Sequence, residues 1–143
     1  MNKKQKSLTN KGFSLVELII VIAIMAALIG VLAPQYIKYV EKSREAADLD
    51  SAQAIITALQ VYATDTENTT LVSGTITFGK TGATVTPDTS NISAALATSS
   101  VDLATVKFKS TKYTGKTLTV TVTDGVPAFS SSDANFKAAL GLK

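Results

Sequence analysis

Lys11-Gly12-Phe13-Ser14-Leu15-Val16-Glu17-Leu18-Ile19-Ile20 leads into a run that is apolar at every position from Leu18 to Ala33 except Gly30. Lys3, Lys4, Lys6 and Lys11 precede the run, and no acidic side chain offsets them before Glu17. Drawn as a helix, residues 13–33 would be about 31 Å long at about 1.5 Å per residue, enough to cross the hydrocarbon core of a bilayer. Tyr36 and Tyr39 lie just beyond it, where amphipathic rings favour the interface. The excess of lysine before the run predicts that this end stays cytoplasmic and the C-terminal bulk faces outward.

A secretory signal peptide has the same charged start and apolar middle. Its small-residue exit here would be Val31-Leu32-Ala33, which is followed by Pro34, a poor residue after a cleavage point. A lipoprotein signal would need a cysteine, and the chain has none. A plain signal anchor would account for neither Gly12-Phe13 nor Glu17.

The overall charge of +3 belongs to the leader. Without residues 1–12 the chain carries ten basic and eleven acidic side chains, a net −1, so the basic balance does not point to nucleic-acid binding by the remainder. With 143 residues there is room for one modest domain. The absence of cysteine and histidine excludes disulfides, thiol chemistry, the usual zinc ligands and any Ser-His or Cys-His nucleophile.

Beyond the apolar run the helical period continues. Ile37, Val40, Ala47, Ala52, Ile56, Leu59 and Ala63 make one stripe, while Lys38, Glu41, Lys42, Arg44, Glu45, Asp48 and Asp50 occupy other faces. The pattern predicts one helix ending near Asp65. Pro34 inside it cannot donate to the carbonyl of Gly30, and Gly30 resists unwinding least, so a kink or melted stretch is expected at Gly30–Pro34.

The remainder is rich in Thr, Ser, Gly and Val. Alternation in Thr75-Ile76-Thr77-Phe78 and Ala83-Thr84-Val85-Thr86, with Gly79 and Gly82 between, predicts a hairpin. Val106–Lys109 and Thr117–Thr123 alternate as well, and Asp124-Gly125 is a hairpin turn signal leading into Val126–Ser130. Short helices are expected at Asn91–Thr98, capped by Ser90 or Asn91, and at Asp133–Leu140, capped by Ser131 or Ser132. The fold class is therefore α+β, with a long N-terminal helix packed on a small antiparallel sheet of three to five strands.

The stretch from Lys11 to Ile20 resembles the N-terminal signature of type IV prepilins: a short basic leader ending in Gly, then Phe, three mostly apolar residues, Glu and a long apolar helix. The pseudopilins of type II secretion and the pilins of DNA-uptake systems share it. The resemblance covers roughly residues 1–64 in detail and is only architectural beyond them. It implies a pilin fold, cleavage by a prepilin peptidase between Gly12 and Phe13, and methylation of the new Phe13 amine. It also implies that Glu17 forms an assembly salt bridge with the N-terminal amine of a neighbouring subunit, and that Gly30 and Pro34 form a helix break in the filament. The expected organisation is a cleaved leader at 1–12, a membrane-spanning and filament-core helix at 13–34, its amphipathic half at 35–64 and a β-rich head at 65–143.

Glu17 argues for a partner on physical grounds too. A carboxylate at the centre of a membrane helix costs on the order of 2.5–3.5 kcal/mol, and less near the interface, where the positive end of the helix dipole also helps. Ala23, Ala26, Ala27 and Gly30 present small faces for close helix packing.

Other stretches are less telling. Lys107–Lys116, the only basic cluster after the leader, would suit DNA or an acidic surface, but its alternation reads as an edge strand facing solvent. Asp48-Leu49-Asp50 lacks the glycine-bearing loop that calcium needs and reads as a solvated face. Asn68-Thr69-Thr70 and Asn91-Ile92-Ser93 match the glycosylation pattern. Gly79-Lys80-Thr81-Gly82 lacks phosphate-loop spacing.

The expected function is that of a non-enzymatic structural subunit of an extracellular type IV pilus, without cofactor or metal. It would sit in the membrane before assembly and on the cell surface afterwards. Its partners would be other copies of itself, the prepilin peptidase, and the membrane platform and assembly ATPase. A pseudopilin or minor pilin, or a filament-borne adhesin, is the alternative.

Overall fold

The structure is a computed structural model that describes residue 12 and residues 14–65, 71–87 and 91–143. The first element, α1, runs from Leu15 to Thr64 and contains Pro34. The chain divides into two compact units, Met1–Tyr39 and Val40–Lys143.

In the first unit α1 shows its apolar side chains in every direction. Leu15, Leu18, Ile19, Ile22, Met25 and Leu28 are all at least half exposed, and none of the residues from Leu15 to Tyr39 is buried. A helix apolar all round has no solvated face to offer, and this one meets the length and composition requirements for crossing a membrane. Residues 30–34 are helical throughout. Of the kink or melted stretch expected at Gly30–Pro34, melting is not present in the single chain: one missing donor at Pro34 leaves the flanking turns of the helix in place.

The second unit combines the C-terminal half of α1 with the head. The sheet contains β1 (Gly74–Phe78), β2 (Ala83–Thr86), β3 (Thr117–Thr123) and β4 (Val126–Ser130), in the order β2-β1-β3-β4 with every neighbouring pair antiparallel. Two short helices, α2 (Ile92–Thr98) and α3 (Ala134–Ala139), complete it. In β1, Gly74, Ile76 and Phe78 point inward; Leu118 and Val120 do the same in β3. The opposite face carries threonines in register, Thr86–Thr75–Thr119 in one row and Thr84–Thr77–Thr117 in the next. Thr suits a half-exposed pleated surface because its branched side chain is already restricted there.

The inward face meets a stripe of α1 formed by Ala52, Ile55, Ile56, Leu59 and Tyr62, all in the buried core cluster. The stripe differs from the expected one at both ends. Ile37 and Ala47 are exposed and Ala63 is only half buried, whereas Ile55 and Tyr62 are buried. Helical periodicity gave the right face of α1 but not where along it the head sits. Phe78 and Phe108 stack with ring centroids 4.2 Å apart, and Phe136 packs edge-on to both at 5.8 and 6.1 Å. Such pairs add about 0.5–1.5 kcal/mol each beyond their buried area.

The turns follow local chemistry. Asp124 and Gly125 both have positive φ, 52° and 78°, as a two-residue hairpin turn with right-handed strand twist requires. At the β1–β2 turn, a Cβ on Gly79 would stand 2.9 Å from the carbonyl oxygen of Gly82, so this approach needs a glycine. α3 is capped by Asp133, whose carboxylate accepts from the Phe136 N–H at 2.8 Å, and not by Ser131 or Ser132 as expected. Ser131 instead donates to the Thr117 carbonyl and accepts from the Asp133 N–H, tying the end of β4 to β3. Asn91 sits at the N-cap of α2 without a side-chain cap bond, and its Oδ1 accepts the Val72 N–H at 2.7 Å. That bond engages the side chain of the one glycosylation-type asparagine among the described residues.

Leu59 is fully buried between α1 and the sheet. Leu59→Ala is expected to destabilise the head by about 2–5 kcal/mol. Thermal unfolding of the full chain in detergent should show a lower Tm for loss of β-structure, with the helix of the first unit retained.

Candidate functional site

The junction named by the sequence lies at the start of α1. Gly12 is exposed and non-helical, with open space where a Cβ would stand. Phe13 lies outside the described residues. Ser14 precedes the first helical residue, Leu15, and its carbonyl accepts the Leu18 N–H at 3.1 Å.

Ser14 and Glu17 bond reciprocally. The Glu17 N–H donates to Ser14 Oγ at 3.3 Å, and the Ser14 N–H donates to the Glu17 carboxylate at 3.4 Å. This is a capping box, in which two N–H groups that the helix cannot satisfy find side-chain acceptors. The Ser-x-x-Glu spacing is legible in the sequence, but the reading of Glu17 as a partner for another chain or as a carboxylate beside the helix dipole overlooks its bond with Ser14. In the single chain its carboxylate also has an intramolecular role, beside the positive end of the helix dipole. Both side chains are exposed.

A second constellation forms where the sequence pointed to two solvated surfaces. Asp48 is 2% exposed, not on a solvated face. Its Oδ1 accepts the Lys109 N–H at 2.9 Å and its Oδ2 the Ser110 N–H at 2.8 Å. One turn and two turns earlier on α1, Glu45 and Glu41 take the next two residues of the same loop. Glu41 Oε1 accepts the Thr111 N–H at 2.5 Å and the Thr111 hydroxyl at 2.7 Å, and Glu45 lies 3.5 Å from Lys112 Nζ. Residues 106–110 form no strand, so the expected edge strand is a loop, held by carboxylates rather than by a sheet ladder. Alternation misled here because Phe108 and Ser110 are buried for separate reasons, one in the aromatic cluster and one under Asp48.

The electrostatics match. Hydrogen bonds from the Thr111 hydroxyl and N–H hold the Glu41 carboxyl below the usual carboxylate range. Tyr113, and then Glu45, hold the Lys112 ammonium above the usual lysine value. Lys116 pairs with Asp133 at 2.7 Å, and this contact, together with the Phe136 N–H, holds Asp133 low. Lys107 and Lys109 are exposed. Among the described residues no cluster of three metal-binding side chains occurs. Two open grooves flank α2, of about 610 and 810 Å³. Neither gathers more than two carboxylates or any nucleophile–base pair: Asp102 lines the first, Asp50 and Asp65 the second.

A long apolar helix joined to a small α+β head is the architecture of a pilin-like protein. Residues 8–33 match the family model described as the prokaryotic N-terminal methylation motif, and the chain thus carries the prepilin signature shared by type IV pilins and pseudopilins. The match covers the end of the leader and the apolar helix, not the head. No curated protein and no solved structure matches the chain.

Ser14→Ala removes one half of the capping box and is expected to weaken the first turn by about 1 kcal/mol. Hydrogen exchange of the full chain in detergent should show the Glu17 amide exchanging about fivefold faster, with Ser14→Thr restoring most of the protection.

Proposed function

We propose that this chain is a structural subunit of an extracellular type IV pilus. The observation that carries the proposal is the methylation motif, residues 8–33, on a helix whose apolar surface is exposed on all sides over residues 15–39. A prepilin peptidase cuts between Gly12 and Phe13, the Phe13 amine is methylated, and the 13–34 segment anchors the subunit in the membrane with its head outside. Assembly then exchanges lipid around that helix for the same helix in other copies, driven by a membrane platform and its ATPase.

The scissile position suits a protease because Gly12 lies outside the helix and offers no side chain to the approach. Glu17 is the register element. In lipid it is satisfied by Ser14, and in the filament it meets the amine of a neighbour's Phe13, a contact better suited to fixing alignment than to adding stability. Ala23, Ala26, Ala27 and Gly30 allow close approach of helices. Gly30 and Pro34 mark the place where the helix stretches on assembly, since the Gly30 carbonyl has no donor from Pro34.

The head is read as non-catalytic. Glu41, Glu45 and Asp48 are used in holding the loop and Asp133 in capping α3, and the outward face of β1, β2 and β3 is an array of threonines. A repeated building block needs no more. A pseudopilin would carry the same signature, and filaments sheared from the cell surface and seen by electron microscopy would favour the pilin.

Glu17→Val is expected to leave leader cleavage within about twofold of the unaltered chain while abolishing surface filaments seen by electron microscopy. Normal filament yield from this variant would contradict the pairing role of Glu17.

A further inference from the structure

Four consecutive residues, Lys109 to Lys112, are held by three carboxylates on successive turns of α1. We propose that Glu41, Glu45 and Asp48 form an acid-released latch that fastens the 109–112 loop to the helix and lets it open locally without unfolding the head. The proposal goes beyond the filament reading and applies to the chain whether or not it polymerises.

The latch depends on charge because its donors are mostly backbone N–H groups. Both oxygens of Asp48 are in use, each accepting a different N–H, and the group is buried. A buried carboxylate is tolerated when charge-assisted bonds replace its hydration. Protonation turns one oxygen into a donor and reduces its capacity to accept, so the two N–H groups can no longer both be served. At Glu41 one oxygen serves the N–H and hydroxyl of Thr111, while the other faces Arg44 at 3.7 Å. Glu45 faces Lys112.

The charged and titratable groups on the facing stretches are Glu41, Lys42, Arg44, Glu45, Asp48 and Asp50 in residues 41–50 of α1, and Lys107, Lys109, Lys112, Tyr113 and Lys116 in residues 107–116, with Asp133 of the α3 cap paired to Lys116. With no histidine in the chain, only carboxylates change charge between neutral pH and pH 3. Glu41 is held below its ordinary value, so its contribution is complete above the ordinary carboxylate range, about pH 4, and disappears as pH falls through the lowered value.

Opening stays local because the loop is anchored separately on both sides. Phe108 stacks on Phe78 and its N–H donates to the Gly79 carbonyl at 3.0 Å. After the loop, Tyr113 packs on Phe136 and the Gly115 N–H donates to the Phe78 carbonyl. Neither anchor uses Glu41, Glu45 or Asp48. The second is supported by Asp133, which accepts the Phe136 N–H and pairs with Lys116, and also by the Gly115 bond to the sheet, which needs no carboxylate. Acid therefore frees residues 109–112, including two lysines, between two fixed points.

The test is amide hydrogen exchange of the full chain in detergent micelles, corrected for intrinsic rates, at pH 7 and stepwise to pH 3. The expected result is a loss of protection of at least tenfold at Ser110 and Thr111 on going from pH 7 to pH 3, while Phe108, Gly115 and the β1–β3 amides stay within about twofold. Asp48→Asn should remove Ser110 or Lys109 protection already at pH 7. Should that variant fail to fold, Glu41→Ala should expose Thr111 at pH 7 and leave Ser110 protected. Unchanged protection at 109–111 down to pH 3, or its loss only together with the sheet amides, would overturn the proposal. So would unchanged Thr111 protection in Glu41→Ala.

Discussion

The helix from Leu15 to Leu32 is apolar on every side and covered on none, and the rest of the molecule is arranged around that fact. Water cannot be its neighbour: fully burying one Leu or Ile is worth about 1.5–3 kcal/mol, and this segment carries more than ten large apolar side chains. An apolar neighbour such as lipid has to cover it. The surface therefore suits the hydrocarbon of a bilayer, and it would equally suit apolar helices of other chains. The polar groups at the start of the helix, Ser14 and Glu17, bond to one another's backbone.

The second unit solves a different problem. A small head without disulfides has to stay attached to the C-terminal half of α1. Packing does most of this through Ile55, Ile56, Leu59 and Tyr62 against Ile76, Leu118 and Val120. The carboxylates of Glu41, Glu45 and Asp48 complete the attachment near the start of the unit, where α1 offers only half-buried Val40 and Leu49. Backbone N–H groups of a loop that joins no sheet need acceptors, and a buried carboxylate needs donors; each satisfies the other.

Much of this was legible beforehand because it rests on short-range rules. The apolar run, the hairpin turn at Asp124-Gly125, the α2 segment and the alternation of β1, β2 and β3 are local signals, and the structure follows them. The prepilin signature is likewise a matter of spacing, and the family match falls on it. Contacts between distant parts were not legible. Asp48 looks like any helix-surface acid, and nothing near it in sequence announces a loop about 61 residues away that will bury it. For the same reason Val106–Lys109 was read as a strand: alternation records which side chains are inward, not whether a neighbouring strand exists to pair with. The Ser14–Glu17 box could have been found from its spacing alone.

The central claim, that the chain is a prepilin cut at the entrance to its apolar helix, is tested most directly by intact-mass and N-terminal peptide analysis of the subunit in the surface fraction sheared from cells. The account predicts a polypeptide that begins at Phe13, bears a methyl group on its amine and retains the whole apolar helix. A subunit that still begins at Met1, or one cut after Ala33, would contradict it.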